Sequence, residues 1–220
     1  MGTLFVVATP IGNLEDITMR ALRILKEVDL IACEDTRITK KILEHYQIKN
    51  QTISYHQHSS TGKIDFIVGK LKQGGNMALV SDAGTPGISD PGGLLVRAAL
   101  AEGIKVETVP GPSAVIAALS VSGIATDRFL FLGFLPHKKG RNTLIKEIIN
   151  SEYTVVFYES VHRIIKALEQ LRDAGLERQV VVCRELTKKF ETVYRGKINE
   201  VLESLNNDQV KGEFVVIISR

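Results

Sequence analysis

The chain has 220 residues, of which 44% are hydrophobic and 24% are charged, and its formal net charge is +3 at pH 7. These proportions are ordinary for a globular protein and exclude a disordered or fibrous chain. A net charge this small does not by itself indicate a nucleic-acid-binding protein. The placement of the charges along the chain must decide that question.

Short apolar, β-branched runs alternate with amphipathic stretches from the amino terminus onward. The first elements predicted are a strand at 4–8, a helix at 20–28, a strand at 30–33 and a helix at 38–46. Further strands are predicted at 52–55, 77–81, 104–109, 129–132, 154–158, 179–184 and 213–219. This alternation predicts an α/β fold with mostly parallel sheets covered by helices.

A Pro-Gly-Pro triplet at 110–112 interrupts this rhythm near the middle of the chain. Such a triplet continues neither a strand nor a helix, so we place a domain junction there. The prediction is an N-terminal α/β domain at 1–111 and a C-terminal α/β domain at 112–220, each with four or five strands. A cleft between two such domains is a natural site for a small ligand.

Several protein classes are not expected. Apolar runs of about five residues are too short to cross a bilayer, and the chain starts without a charged leader, so we expect a cytoplasmic protein with no membrane segment. Cys33 and Cys183 have no CxxC partner and are predicted to be small core residues. His56 and His58 could share a strand face but have no obvious third ligand, so no metal site is predicted.

The loop at 81–93 is the most informative stretch, because four glycines and two prolines follow directly on a predicted strand. Glycine lets a ligand approach the backbone, and open α/β sheets bind ligands at the carboxyl ends of their strands. A plain turn that ends in a capping Asp90 with Pro91 at the first helical position would explain only its last residues. We therefore favour a ligand-binding loop, although no GxGxxG, Walker or GxSxG motif is present.

Three other strand ends, at 33–37, 158–163 and 184–189, mix acidic and basic residues. Asp35 and Ser160 could simply cap helices. Arg37 and Arg163 would lie in the first turn of a helix, where a cation costs roughly 0.3 to 1 kcal/mol. A neighbouring carboxylate or an RNA phosphate could compensate for either arginine. The basic run at 137–141 could likewise be a solvated loop or contact phosphate.

These motifs closely resemble the tetrapyrrole methylase superfamily and, within it, the group of ribosomal RNA small subunit methyltransferases I. The resemblance covers essentially the whole chain and depends on six stretches, at 8–14, 34–37, 81–93, 109–114, 158–163 and 184–188. It implies two α/β domains of the tetrapyrrole methylase type, not a Rossmann methyltransferase, with the cofactor in the cleft between them. It also implies a homodimer.

The family's reaction is S-adenosylmethionine-dependent 2′-O-methylation of a cytidine ribose in the decoding region of 16S rRNA, so the implied partner is 16S rRNA or the 30S subunit. The residues that the resemblance assigns to cofactor binding are Pro10, Ser81, Asp82, Ala83, Gly84, Thr85, Pro86, Ser113, Ala114, Tyr158, Arg184, Lys211 and Gly212. Members of the group often carry a small extra domain beyond the strand at 212–217, and its absence would affect RNA affinity more than cofactor binding.

A ribose hydroxyl is a poor nucleophile, so a base or a cation that stabilises the alkoxide would speed the transfer. Glu34, Asp35 and Glu159 are candidate bases, and Arg37, Arg163 and Lys188 are candidates to hold phosphate or the oxyanion. Two alternative functions stay open. One is methylation of a tetrapyrrole or another small molecule, and the other is a non-catalytic RNA-binding assembly factor.

Overall fold

The computed structural model describes residues 1–56, 61–90, 92–208 and 210–220. The chain forms two units, Met1–Ser113 and Ala114–Arg220, and each contains one five-stranded sheet. The junction predicted after residue 111 lies two residues before this division. Within the described ranges, no helix is long and apolar enough to cross a membrane.

The first unit is a parallel sheet with helices between its strands, in the order β3-β2-β4-β1-β5. Its strands are β1 (Thr3–Val7), β2 (Leu30–Cys33), β3 (Thr52–Ser54), β4 (Met77–Val80) and β5 (Lys105–Val109). Its helices are α1 (Met19–Glu27), α2 (Thr36–His45), α3 (Thr61–Lys72) and α4 (Gly92–Ala101). A 3-10 turn at Leu14–Asp16 precedes α1.

The central strand β4 shows why this sheet is parallel and covered on both faces. All four of its residues are buried. Ala78 and Val80 pack into one apolar cluster, whereas Met77 and Leu79 pack into a second one. Successive strand residues point to opposite faces, so a run without polar alternation requires a core on each side.

The second unit is a mixed sheet in the order β6-β7-β10-β8-β9. Its strands are β6 (Phe129–Phe134), β7 (Thr154–Ser160), β8 (Val180–Arg184), β9 (Thr192–Gly196) and β10 (Glu213–Ile218). Its helices are α5 (Ala114–Ser122), α6 (Arg141–Asn150), α7 (Ile164–Asp173) and α8 (Ile198–Asn206). Among the described strands of this unit, β6 and β7 form the one parallel pair.

The expectation of mostly parallel sheets is therefore confirmed for the first unit and wrong for the second. Strand β9 was not predicted, and it pairs antiparallel with β8 after a loop of seven residues. A connection this short allows an antiparallel neighbour, whereas a parallel one needs a crossover of a dozen or more residues. The nine strands that were predicted are all present, and their ends differ from the prediction by at most two residues.

Candidate functional site

Three of the predicted cofactor-binding segments in the first unit meet beyond the carboxyl ends of β1 and β4. Thr9 and Gly84 exchange backbone hydrogen bonds of 2.9 and 3.0 Å, and the Thr9 hydroxyl donates to the Ser81 carbonyl at 3.1 Å. The Thr85 hydroxyl donates to the Pro112 carbonyl at 3.2 Å. The segments around Pro10, 81–86 and Ser113 thus form one fixed group of loops.

Backbone geometry explains two of the glycines in this group of loops. Gly84 has φ +78°, a conformation that side chains with a Cβ rarely adopt. A Cβ on Gly111 would lie 3.0 Å from the Ala8 Cβ. The neighbouring predicted residues differ in burial, since Pro10 and Pro86 are buried and Ala83 is exposed. The loop therefore exposes the small side chain of Ala83, whereas Gly84 is buried.

A shallow hollow lies beside this loop in the first unit. It is lined by Glu34, Tyr55, Leu79, Val80, Ser81, Pro86, Asp90 and Gly92. The hollow has no room for a water molecule, so it marks where these side chains meet and encloses no ligand. Asp90 accepts a hydrogen bond from the Gly92 amide at 3.1 Å, and the preceding Pro91 lies outside the described residues.

Glu34 is the predicted base whose surroundings suit that role best. Burial raises the pKa of Glu34, and the negative charges of Asp82 and Asp90 raise it further. Burial is also the main reason why the pKa of Asp82 is raised, although its carboxylate accepts the Asp35 amide at 2.9 Å. A half-buried carboxylate with a raised pKa is a stronger base than an exposed one, because proton transfer to it is more favourable.

Asp35 and Arg37 neutralise each other at the start of α2. The Asp35 carboxylate accepts the Arg37 backbone amide at 2.8 Å and caps the helix, and the guanidinium lies 2.6 Å from the same carboxylate. These hydrogen bonds lower the pKa of Asp35 to about 2. The predicted cap at Asp35 is confirmed, and the same carboxylate compensates for the charge of Arg37. A carboxylate with so low a pKa is a weak base, which favours Glu34 over Asp35.

Glu159 in β7 is fully buried between two arginines. Arg163 lies 2.7 Å from one carboxylate oxygen, and Arg141 lies 3.5 Å from the other. The Ser160 amide also donates to this carboxylate at 2.8 Å. With its oxygens enclosed in this way, Glu159 is placed to hold structure, so the geometry favours Glu34 over Glu159 as the base.

The same contacts decide the alternatives for Arg163 and Ser160. A protein carboxylate compensates for Arg163, which occupies the N-cap position of α7 and has an exposed side-chain fraction of 18%. The prediction that Ser160 caps this helix is wrong. No side chain caps α7, because the chain makes a further turn after Ser160, whose carbonyl accepts the Arg163 amide.

Tyr158 lies beside the start of α5, so two predicted cofactor residues of the second unit, Tyr158 and Ala114, are neighbours. Burial raises the pKa of Tyr158, and a hydrogen bond with the Val115 backbone partly offsets that effect. The ring contacts Phe131 and Phe134 at centroid distances of 5.0 and 5.4 Å. The tyrosine is therefore held by two aromatic rings and by a hydrogen bond at its hydroxyl.

Arg184, at the end of β8, is buried and forms hydrogen bonds with the loop that precedes β10. Its Nε donates to the Lys211 carbonyl at 3.0 Å, and its Nη1 lies 2.7 Å from the Asp208 carboxylate. Tyr194 in β9 also donates to Asp208. These contacts position the Lys211–Gly212 turn, which was predicted to contact the cofactor. Arg184 therefore supports that turn from its buried side.

The predicted cation Lys188 is fixed by two carboxylates. Its Nζ lies 2.9 Å from Glu185 and 2.7 Å from Glu213. Burial opposes the charged form, but these two contacts outweigh it and raise the pKa of Lys188. Lys188 is therefore a permanent cation with a defined position.

The loop that carries Lys188 has an uncommon backbone conformation. Glu185 and Thr187 have φ values of +52° and +65°, which non-glycine residues seldom adopt. Glu185 also packs against Gly212, where an added Cβ would lie 2.3 Å from the Glu185 carboxylate. Strained backbone of this kind clusters at functional sites.

Sequence reasoning missed the residues that position others. Arg141, Glu185, Tyr194 and Asp208 were not predicted as site residues, yet they hold Glu159, Lys188, Arg184 and the turn at 211–212. Glu185 lies inside a recognised stretch and Arg141 inside the basic run at 137–141. Nothing in the linear spacing indicates that Asp208 would contact Arg184.

No metal site is evident in the ranges that the structure describes. There, no group of three His, Cys, Asp or Glu side chains is close enough to hold an ion. His58, considered above as a partner for His56, lies outside those ranges. Cys33 and Cys183 are both free and buried, as predicted, and burial raises the pKa of the Cys183 thiol to about 11.

Comparison with known families identifies the chain. The family model of Tetrapyrrole (Corrin/Porphyrin) Methylases matches residues 3–202. The chain belongs to the tetrapyrrole methylase family. As a member of this family it is a methyltransferase, and both the resemblance and the fold class inferred from the sequence are confirmed.

Two relatives extend the match over the whole chain. A protein of Synechocystis sp. is 48% identical over 221 residues, which cover 100% of this chain and 79% of the relative. A protein of Thermotoga maritima is 44% identical over 219 residues, which cover 100% of this chain and 99% of the relative. Both are named Ribosomal RNA small subunit methyltransferase I.

Solved structures show the same fold at much lower identity. Diphthine synthase is 14% identical and superposes with a TM-score of 0.78 over 99% of this chain and 90% of its own. Uroporphyrin-III C-methyl transferase from Thermus thermophilus, complexed with S-adenyl homocysteine, is 19% identical with a TM-score of 0.68 over 100% of this chain and 98% of its own. The architecture is therefore of the tetrapyrrole methylase type and not a Rossmann methyltransferase fold.

Proposed function

We propose that this protein transfers a methyl group from S-adenosylmethionine to the 2′-oxygen of a cytidine ribose in the decoding region of 16S rRNA. The observation that carries the proposal is the pair of relatives, 48% and 44% identical along the whole chain, that are named Ribosomal RNA small subunit methyltransferase I. Within the first unit, a candidate base and a loop of small residues support it, and within the second unit a fixed cation does.

The residues of the first unit fit S-adenosylmethionine chemically. Ala83 is exposed and carries only a methyl group, so a flat adenosine could approach the loop there. Glu34, Asp82 and Asp90 lie close enough together to raise the pKa of Glu34, so the region has a negative potential. Such a potential attracts the positively charged sulfonium group.

Bound S-adenosylmethionine supplies an electrophilic methyl carbon. The ribose oxygen forms a bond to this carbon while the carbon–sulfur bond breaks, and the hydroxyl proton passes to a base. Glu34 is the proposed base, because its pKa is raised and it lines the hollow beside the loop at 81–86. Aligning the two reactants is worth about 7 to 11 kcal/mol in ideal cases, and a base adds roughly 10²- to 10⁴-fold.

Other chain residues are assigned by position. Lys188 is proposed to stabilise the developing alkoxide or hold a neighbouring phosphate, because two carboxylates fix its ammonium group. Pro10, Ser113, Ala114, Tyr158, Lys211 and Gly212 are proposed to contact the cofactor. Asp35, Arg37, Glu159, Arg163 and Arg184 are proposed to position these residues. A cofactor cleft between domains 1–111 and 112–220, a homodimer and a cytoplasmic location complete the proposal.

The decisive experiment is transfer of tritiated methyl groups to 30S particles from cells that lack the modification, followed by mapping of the labelled nucleoside. Label on a 2′-O-methylcytidine is the expected result. Label on a base or another nucleoside contradicts the proposed target. No label on RNA, with label on a tetrapyrrole offered in parallel, supports the small-molecule alternative.

Cofactor binding is tested separately by the melting temperature. At a hundredfold excess over its dissociation constant, S-adenosylmethionine should stabilise the fold by about 2.7 kcal/mol. An unchanged melting temperature would instead favour a non-catalytic assembly factor.

A further inference from the structure

The second unit carries the whole net charge of the chain. Residues 114–220 include 16 Lys and Arg against 13 Asp and Glu, whereas residues 1–113 include 12 of each. His137, Lys138 and Lys139 follow one another in the loop after β6, and all three are exposed. Within the described part of the chain, neither lysine pairs with a carboxylate.

The start of this loop is held in place by the buried Arg141 and the half-buried Arg163. Arg163 donates to the Leu135 carbonyl at 2.9 Å, and Arg141 donates to the Pro136 carbonyl at 3.0 Å. Both guanidinium groups also bind the buried Glu159 carboxylate. The loop is therefore anchored to β7 at Pro136, two residues before the lysines, and at Arg141, two residues after them, although the lysine side chains are exposed.

A third exposed lysine lies on the same side of α7. Arg163, Lys166 and Gln170 are three and four residues apart and so share one helix face. This face is the one that meets the loop, because Arg163 binds Leu135 and Gln170 accepts a hydrogen bond from Arg141 at 2.7 Å. Lys166 is exposed between these two contacts and has no carboxylate partner in the described ranges.

We propose that His137, Lys138, Lys139 and Lys166 form a basic surface that binds the phosphate backbone of the RNA substrate. This inference rests on the proposed function, because it assigns a contact surface for that substrate. Unpaired ammonium groups bind phosphate and release counterions from the nucleic acid. Buried ion pairs add little stability on their own, but they can fix a conformation, and a loop fixed before binding loses less entropy when RNA binds.

The test compares two double variants with wild-type protein in binding to 30S particles that lack the modification, at a series of salt concentrations. Lys138→Ala with Lys139→Ala removes two charges from the surface. Lys26→Ala with Lys49→Ala removes two exposed charges from the first unit and serves as the matched control. Each lost phosphate contact should reduce the slope of log affinity against log salt by about 0.7 to 0.9.

The expected result is a slope reduced by about 1.4 to 1.8 in the first variant and unchanged in the control. Stabilisation by S-adenosylmethionine should stay the same in both. Lys138→Glu with Lys139→Glu should weaken binding further, because it adds repulsion. Equal salt slopes for the wild type and the alanine variant would overturn the proposal that this surface binds RNA. An equal reduction of the salt slope in the alanine variant and the control would overturn it as well.

Failure of the surface and failure of the proposed function give different results. Suppose that wild-type protein methylates 30S particles and the alanine variant binds them as tightly as the wild type does. The proposed RNA-binding surface is then wrong, and the proposed function stands. If wild-type protein transfers no methyl group but its salt slope still depends on Lys138 and Lys139, the surface stands and the function is wrong. Binding of the wild type to anionic lipid vesicles but not to 30S particles would contradict the surface as an RNA contact.

Discussion

Glu34 in the first unit and Glu159 in the second unit have opposite charged surroundings. Glu34 in the first unit lies beside two other acidic residues and forms no ion pair among the described residues, and its pKa is raised. Glu159 in the second unit is more deeply buried, but two arginines and a backbone amide bind it. A carboxylate left without a cation can exchange a proton, whereas one that is fully paired holds loops in place. Under the proposed function, this contrast favours Glu34 as the base and Glu159 as a positioning residue.

The largest expected effect concerns proton transfer. Glu34→Gln should reduce methyl transfer by roughly 10²- to 10⁴-fold, because the amide cannot accept the ribose proton. Stabilisation by S-adenosylmethionine should be retained, which separates chemistry from cofactor binding. The measurement is single-turnover methylation of 30S particles. Asp35→Asn is the neighbouring control, and a larger loss in that variant than in Glu34→Gln would reverse the assignment of the base.

The pH dependence of methyl transfer tests Glu34 as the base in a second way. A base must be deprotonated, so wild-type activity should fall as the pH falls through the raised pKa of Glu34. The midpoint of that loss should therefore lie above the ordinary glutamate pKa of about 4.3. An acidic limb at or below the ordinary value would contradict Glu34 as the base.

The next effect tests the buried ion cluster. Glu159→Ala should destabilise the protein by about 3 to 5 kcal/mol, because it leaves the buried Arg141 and the half-buried Arg163 without their carboxylate. Glu159→Gln keeps the shape and should be less harmful. Urea unfolding measures both variants. The exposed pair of Asp35 and Arg37 offers the contrast, since Arg37→Ala should change the unfolding midpoint little. Comparable losses at the two sites would break the distinction between the units.

A smaller effect is expected where Gly212 meets Glu185. Gly212→Ala should strain a backbone with φ +93° and displace the Glu185 carboxylate that holds Lys188. We expect a loss of about 1 to 3 kcal/mol in stability and about a tenfold loss in methyl transfer. Gly175→Ala is a close control, because Gly175 has φ +89° but nothing lies within 4 Å of an added Cβ. Equal losses of activity in both variants would remove the positioning role of Glu185.

The smallest effect is a pH dependence of stability. Because the pKa of Glu34 is raised in the folded state, its protonated form favours folding, and that contribution is lost as the pH rises through the folded pKa. Glu34→Gln should therefore raise the melting temperature slightly at pH 7, and the gain should disappear below about pH 4. Asp35 behaves in the opposite sense, since its pKa of about 2 contributes stability that is lost in strong acid. A Glu34→Gln variant that is less stable at pH 7 would contradict a desolvated carboxylate.

The sequence by itself determined the order of the elements, because hydrophobic period and turn residues are local properties. Strand β2 was predicted with its observed ends, and the Pro-Gly-Pro triplet lies next to the division between the units. The loop at 81–86 was recognisable from its glycines and prolines. The six recognised stretches indicated a family that the comparisons confirm.

Only the tertiary structure decided which strands are antiparallel and which charged groups meet. Strand β10 lies between β7 and β8, a placement that depends on packing of residues distant in sequence. Likewise, Arg141 reaches Glu159 across 18 positions and Arg184 reaches Asp208 across 24. Glu34 and Glu159 look alike in the sequence, since each lies near the end of a buried strand with an arginine three or four positions later. Their roles differ because burial and the partners of a charge are set by neighbours in space, not by neighbours in the chain.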